Sequence, residues 1–313
     1  MYRRIIYQPA LLLGVACCLL QVITASEIYL RRAQEGIDPE QYSIFREWMG
    51  MAGDQGIRGG FEVSEPLPWF VSWDHPGLQA GALVNPDIVL TTASALSLGL
   101  PNYVRIGSTK RDEGGTLMEV VGAVIHPDYV EGVGTGPANI AVLKLKESLI
   151  NSLALVNEES LVPKSNQEVM FLAGFGQTNT PPPDFPSTLQ GMFTNYTEDC
   201  FAVIPGIYNP INHICATASP AGGCLGDGGG PLVMEGTRNV VGLLFGADGP
   251  CNGTATTNFY TRVSSFAPWV KATICDISKS QPSYCDKDSK EDDDGCFLGC
   301  FLHDLFSFFA NLF

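Results

Sequence analysis

Residues 222–231, GGCLGDGGGP, hold the groups in this chain best suited to chemistry. A cysteine, an acidic residue, a run of glycines and a closing proline make a tight loop in which backbone N–H groups can converge. Such a nest suits the negative oxygen that develops in acyl transfer, and the N–H groups of Gly226 and Gly228 are the candidates to bind it. Gly228, however, has no side chain, so nothing there can attack a carbonyl carbon. A general base is equally hard to find among the four histidines. His75 precedes a proline in a turn, His126 lies in an HPDY turn and His213 sits beside Cys215, so each reads as a surface or structural histidine. His303 interrupts an apolar tail.

The elements that would position this loop are short. Runs of β-type residues separated by turn signals occur at Trp69–Trp73, Ala82–Leu90, Tyr103–Ile106, Met118–Ile125 and Ile140–Leu145. A second set follows at Glu168–Ala173, Leu189–Phe193, His213–Ala216, Pro231–Met234, Val240–Phe245 and Asn258–Val263. A helix is expected over Phe266–Ile274. With 34 glycines and 21 prolines, the pattern is that of an all-β protein made of paired antiparallel barrels.

The 313 residues carry a formal net charge of −15, which argues against nucleic acid as a partner, since phosphates need a basic surface. Arg3 and Arg4 followed by an apolar run from Pro9 to Ile23 read as a secretory signal over residues 1–25, with Ala25 at the cut. Residues 26–56 hold no cysteine and read as a propeptide-like segment or linker. Eight of the ten cysteines remain beyond the signal, an even set that indicates disulfides in an exported chain. No paired CxxC units occur, so neither zinc nor any other metal or cofactor is expected. Asn195 in NYT and Asn252 in NGT are glycosylation sequons, placed by this reading in loops or near strand ends.

Several stretches resemble, in order, the trypsin-like (S1) serine proteases. IRGG (57–60) is similar to their mature start, PWFVSW (68–73) to the strand after it, and IVLTTAS (88–94) to the segment with the catalytic histidine. ANIAVLKL (138–145) is similar to the segment with the aspartate; AGFGQT (173–178), the 222–231 loop, VGLLFG (241–246) and FYTRV (259–263) follow in family order. The resemblance covers about residues 57–275 and implies two antiparallel six-stranded barrels with a C-terminal helix.

It also implies that the family's working residues are absent. The histidine position falls on Ser94, the aspartate position on Asn139 and the serine position on Gly228. A hydroxyl cannot serve as a base near neutral pH, and an amide cannot stabilise an imidazolium. The bridge that ties down the histidine loop in the family would join Gln79 and Ala95, neither of them cysteine. Bridges are implied between Cys200 and Cys215, Cys224 and Cys251, and Cys275 and Cys285, with Cys296–Cys300 a weaker fourth. Activation would need a basic residue before Ile57, where Gly56 stands, so Asp227 is read as structural in preference to a partner for a new amine. In the specificity pocket, Gly222 stands where trypsin-type members carry aspartate, Leu244 and Phe245 precede Gly246, and Asn258 occupies a wall position. No basic side chain would be recognised there.

Residues 276–313 read as an acidic linker and an apolar tail; CFLGCFLHDLFSFFANLF (296–313) has near-helical spacing. It could dock on the barrels, bind a partner, touch a membrane or signal a lipid anchor. The expectation from sequence is a secreted, non-catalytic homologue that works by binding a protein: a decoy, a cofactor of a protease cascade or an inhibitor of another secreted enzyme. The rival is an endopeptidase with an atypical site.

Overall fold

The apolar run Ala82–Leu90, expected as one strand, is two. Pro86 and Asp87 turn the chain between β3 (Gln79–Asn85) and β4 (Ile88–Thr91), because proline has no N–H to give to a ladder. The computed structural model describes residues 57, 60–130, 138–150, 154–156, 163–165, 167–177, 185–198, 209–218, 221–248 and 256–285. The expected signal, the pre-57 segment and the tail lie outside these residues, as do Cys200, Cys251, Cys296, Cys300 and Asn252.

After the two-residue β1 (Phe61–Glu62), the first barrel is built from β2 (Phe70–Trp73), β3, β4, β5 (Tyr103–Ile106), β6 (Thr116–Ile125) and β7 (Ala141–Leu145). It closes in the order β2-β3-β4-β7-β6-β5. The second comprises β9 (Val169–Gly174), β10 (Gln190–Thr197), β11 (His213–Ala218), β12 (Pro231–Met234), β13 (Asn239–Ala247) and β14 (Thr256–Arg262). Its order, β10-β11-β14-β13-β12-β9, closes through β9–β10 pairing, while β1 and the short β8 (Leu155–Val156) attach at its flanks. Every barrel pairing is antiparallel. The expected pair of six-stranded barrels is the observed fold.

The runs around β3 and β4 lack polar alternation because both faces of these strands are buried. Val71, Leu83, Val89, Val104, Ile106 and Leu143 fill one cluster with other first-barrel residues. Phe70, Ala82, Ile88, Leu90 and Val142 point the other way, into a shared cluster with Phe175, Val233, Leu243 and the helix residues Val263, Phe266 and Val270. Met170, Leu172, Met192, Ile214, Leu232 and Tyr260 pack with the fully buried Ile57 in the second barrel.

Helix α1 runs from Val263 to Ile277, longer at both ends than expected, with Pro268 in its second turn, where it forgoes one i→i−4 backbone bond. Its end is anchored to the first barrel. Ser278 donates to Asp87 Oδ1 at 2.6 Å, the Lys279 N–H donates to Asp87 Oδ2 at 2.9 Å, and Lys144 pairs with the same carboxylate. Burial alone would raise the Asp87 pKa; bonds from Lys144, Ser278 and Lys279 together hold it below the usual value. The Cys275–Cys285 disulfide is formed. Cys215 and Cys224 are also disulfide-bonded, and their expected partners lie outside the described residues.

Candidate functional site

The site lies where loops of both barrels meet. Ser94 begins a short 3-10 helix, Ser94–Leu96, just after β4; Asn139 sits just before β7, which pairs with β4. That pairing brings them together. Asn139 Oδ1 accepts the Ser94 N–H at 2.8 Å, and Asn139 Nδ2 donates to Ser94 Oγ at 2.9 Å. The Ser94 hydroxyl in turn lies 3.3 Å from Thr92 Oγ1. Asn139 is fully buried, and its carbonyl accepts from the Thr261 hydroxyl of β14 at 2.8 Å. An amide meets both needs of Ser94 at once, since it carries an acceptor and a donor on one rigid plane. Neither group can exchange a proton near neutral pH.

Gly228 meets neither of them directly. Its carbonyl accepts from the Ala80 N–H of β3 at 2.8 Å, and at the adjacent Gly229, φ 75°, a Cβ would run into Thr91 and the Ala80 carbonyl. A side chain on Gly229 would be both strained and blocked. The space that a side chain on Gly228 would enter is held by the Gln79 amide. Sequence reasoning read Gln79 only as half of a lost bridge; its second place, over Gly228, depends on the docking of a loop that is remote in the chain. Ala95, the other half, is buried in the Ser94–Leu96 turn. Gly226 takes φ 93° and packs on Leu78 and Gly176. Among the described residues, the N–H groups of Gly226 and Gly228 meet no acceptor.

Asp227, between them, is fully buried. Its Oδ1 accepts the Gly176 N–H at 2.9 Å and its Oδ2 the Cys224 N–H at 3.1 Å. Burial pushes its pKa up to about 7, against the downward pull of the Cys224 and Gly176 N–H bonds. A Cβ on Gly174 would collide with this carboxylate, which favours glycine at the end of β9.

The pocket positions are only partly gathered. Asn258, fully buried in β14, accepts the Gly223 N–H at 2.8 Å, next to Gly222, while its Nδ2 has no partner among the described residues. Gly223 also meets Leu244. A register shift between Leu244 and Gly246 turns Phe245 elsewhere, to 5.3 Å from the His213 ring and 6.4 Å from Phe259. His213 is itself buried; His126 packs on Phe266 and Trp269, and burial lowers its pKa against the pull of Asp128. Asn195 lies within β10, with its side chain exposed.

Comparison with known proteins agrees with the two-barrel fold. The family model described as Trypsin matches residues 57–270. Mast cell protease 3 of Ovis aries is 31% identical over 238 residues, covering 71% of this chain and 91% of that protein. Hypodermin-A of Hypoderma lineatum is 31% identical over 196 residues, 58% of this chain and 74% of its own length. Among solved structures, mouse neuropsin, described as a serine protease expressed in the limbic system of the brain, superposes with a TM-score of 0.59. That match covers 70% of this chain and 98% of neuropsin at 23% identity, a likeness of fold.

Proposed function

Because the chain belongs to the trypsin-like S1 serine protease family, we propose that it is a member that has given up the reaction and works by binding a protein partner. The observation that carries this reading is the mutual pairing of Ser94 and Asn139, with Gln79 over Gly228. The histidine and aspartate positions hold each other in a neutral hydrogen-bonded pair, and the place of the nucleophile is filled by an amide. Loss of the serine or the histidine alone removes roughly 10⁶ in kcat in another serine protease. In this reading the protein acts outside the cell as a decoy, a cofactor of a protease cascade or an inhibitor of another secreted enzyme. Export is supported by the basic-then-apolar N-terminus and by disulfide-bonded Cys215, Cys224, Cys275 and Cys285.

Purified protein, with contaminating proteases blocked, tests the reading through peptide-ester hydrolysis and fluorophosphonate labelling. The expected result is neither turnover nor a labelled serine. Labelling together with matching hydrolysis supports the second reading, an endopeptidase with an atypical site. That reading draws on the protease names of the relatives and on the unengaged N–H groups of Gly226 and Gly228. A pull-down from the native fluid identifies the partner.

A further inference from the structure

β10 has a dry face and a wet face. Met192, Thr194 and Tyr196 are buried, while Phe193 and Asn195 are exposed and Thr197 half-exposed, the alternation of a strand covered on one side only. Phe193 is 50% exposed and faces Phe171 across the β9–β10 ladder, their rings 5.5 Å apart. Phe61, 45% exposed on β1, lies 5.5 Å from the Phe193 ring and 6.3 Å from that of Phe171. Scattered exposed apolar side chains need no explanation, but two exposed aromatic rings in contact with each other and with the half-buried Phe171 form a contiguous apolar patch that calls for a cover.

The same face carries a glycosylation sequon. Phe193, Asn195 and Thr197 alternate along it, so an aromatic ring, the sequon asparagine and the sequon threonine stand in one row. Neighbours in such a row are roughly 6.5–7 Å apart, about the reach of one sugar ring. We propose that Asn195 carries an N-linked glycan whose first sugar lies on Phe193 and covers the Phe61–Phe171–Phe193 patch. A hexose has one face of C–H groups, and these meet the negative face of an aromatic ring favourably.

In the transfer, Asn195 Nδ2 attacks C1 of the sugar of an oligosaccharyl diphosphate lipid. The N–C1 bond forms, the C1–O bond to diphosphate breaks, the amide proton is lost to a base of the transferase, and nothing is oxidised or reduced. The acceptor is the extended chain before β10 pairs, so the strand position of Asn195 is no obstacle. The proposal rests on the export part of the functional reading and is independent of whether the site is catalytic.

The test is expression of the full chain in cultured insect cells, with occupancy of Asn195 read by mass spectrometry after enzymatic sugar removal in heavy-oxygen water. We expect Asn195 to be occupied, and Phe193→Ala to lower that occupancy. The glycosylated protein should melt about 2–4 °C above Asn195→Gln, the shift for about 1 kcal/mol in a domain of this size. Phe193→Ala should remove most of that difference, as a coupled pair requires. Bare Asn195 on chain recovered from the medium overturns the proposal, as does an equal glycan effect with and without Phe193. Dimers or partner crosslinks through Phe61 with Asn195 bare assign the patch to a protein instead. If no chain reaches the medium, the export reading fails, and a chain with a foreign leader in place of residues 1–25 decides the glycan question.

Discussion

The Gln79 amide occupies the space that a side chain on Gly228 would need. The contact is with the far end of a flexible side chain, so Gly228→Ser is expected to fold, with Gln79 swung aside. It should gain no hydrolysis and no fluorophosphonate label, because Ser94 and Asn139 leave the new hydroxyl without a base. Adding Ser94→His and Asn139→Asp to Gly228→Ser is the variant in which activity above background should first be measurable, by peptide-ester turnover.

Asn139 is expected to matter for stability. Truncation to alanine leaves the half-buried Ser94 N–H without its acceptor and Ser94 Oγ without its donor. The cost should be about 2–3 kcal/mol, as for other buried groups left unsatisfied, read from the urea midpoint at unchanged m-value.

Asp227 sets a pH dependence. Its folded pKa of about 7 lies above the ordinary 3.8, so the folded state holds the proton more tightly than the unfolded one. The associated stability is full below pH 3.8, falls as pH rises from there toward 7, and then levels off. A shift of this size corresponds to about 4 kcal/mol. Asp227→Asn should flatten that slope in urea titrations between pH 4 and 8. Gly174→Ala, which drives a methyl into the same carboxylate, should be destabilised by about 1–3 kcal/mol.

Asp87 acts in the opposite sense. Its lowered pKa gives stability that is present above the unfolded value of 3.8 and lost as pH falls through the lower folded value. Asp87→Ala at neutral pH leaves Lys144 without its carboxylate and should cost about 3–5 kcal/mol. Ser278→Ala, which removes one donor, should cost less, about 1–3 kcal/mol. Thermal melts of the two variants rank them.

Most strands were legible because their periodicity is local. Tyr103–Ile106 and Pro231–Met234 have the expected bounds. The β3–β4 run defeated that reading, since both strands are buried on both faces and only Pro86 and Asp87 mark the turn. At the site, the loop sequence pointed to Gly226, Asp227 and Gly228, and the triad positions to Ser94 and Asn139. What could not be read was pairing between segments remote in sequence: Gln79 over Gly228 and Thr261 under Asn139 across the barrels, and Asn258 capping Gly223 within the second. The inward turn of Phe245 was equally hidden, because it follows from a one-residue register shift in β13.

The Ser278 and Lys279 anchor on Asp87 joins the β3–β4 hairpin of the first barrel to residues just beyond α1. On a ribosome, that hairpin emerges long before the donors that complete it. A nascent first barrel must therefore enclose a carboxylate short of two partners, and it becomes fully satisfied only when the end of α1 has been released. Chains cut short ahead of Ser278 should accordingly stay open to chaperones and to proteolysis, however complete both barrels are in sequence.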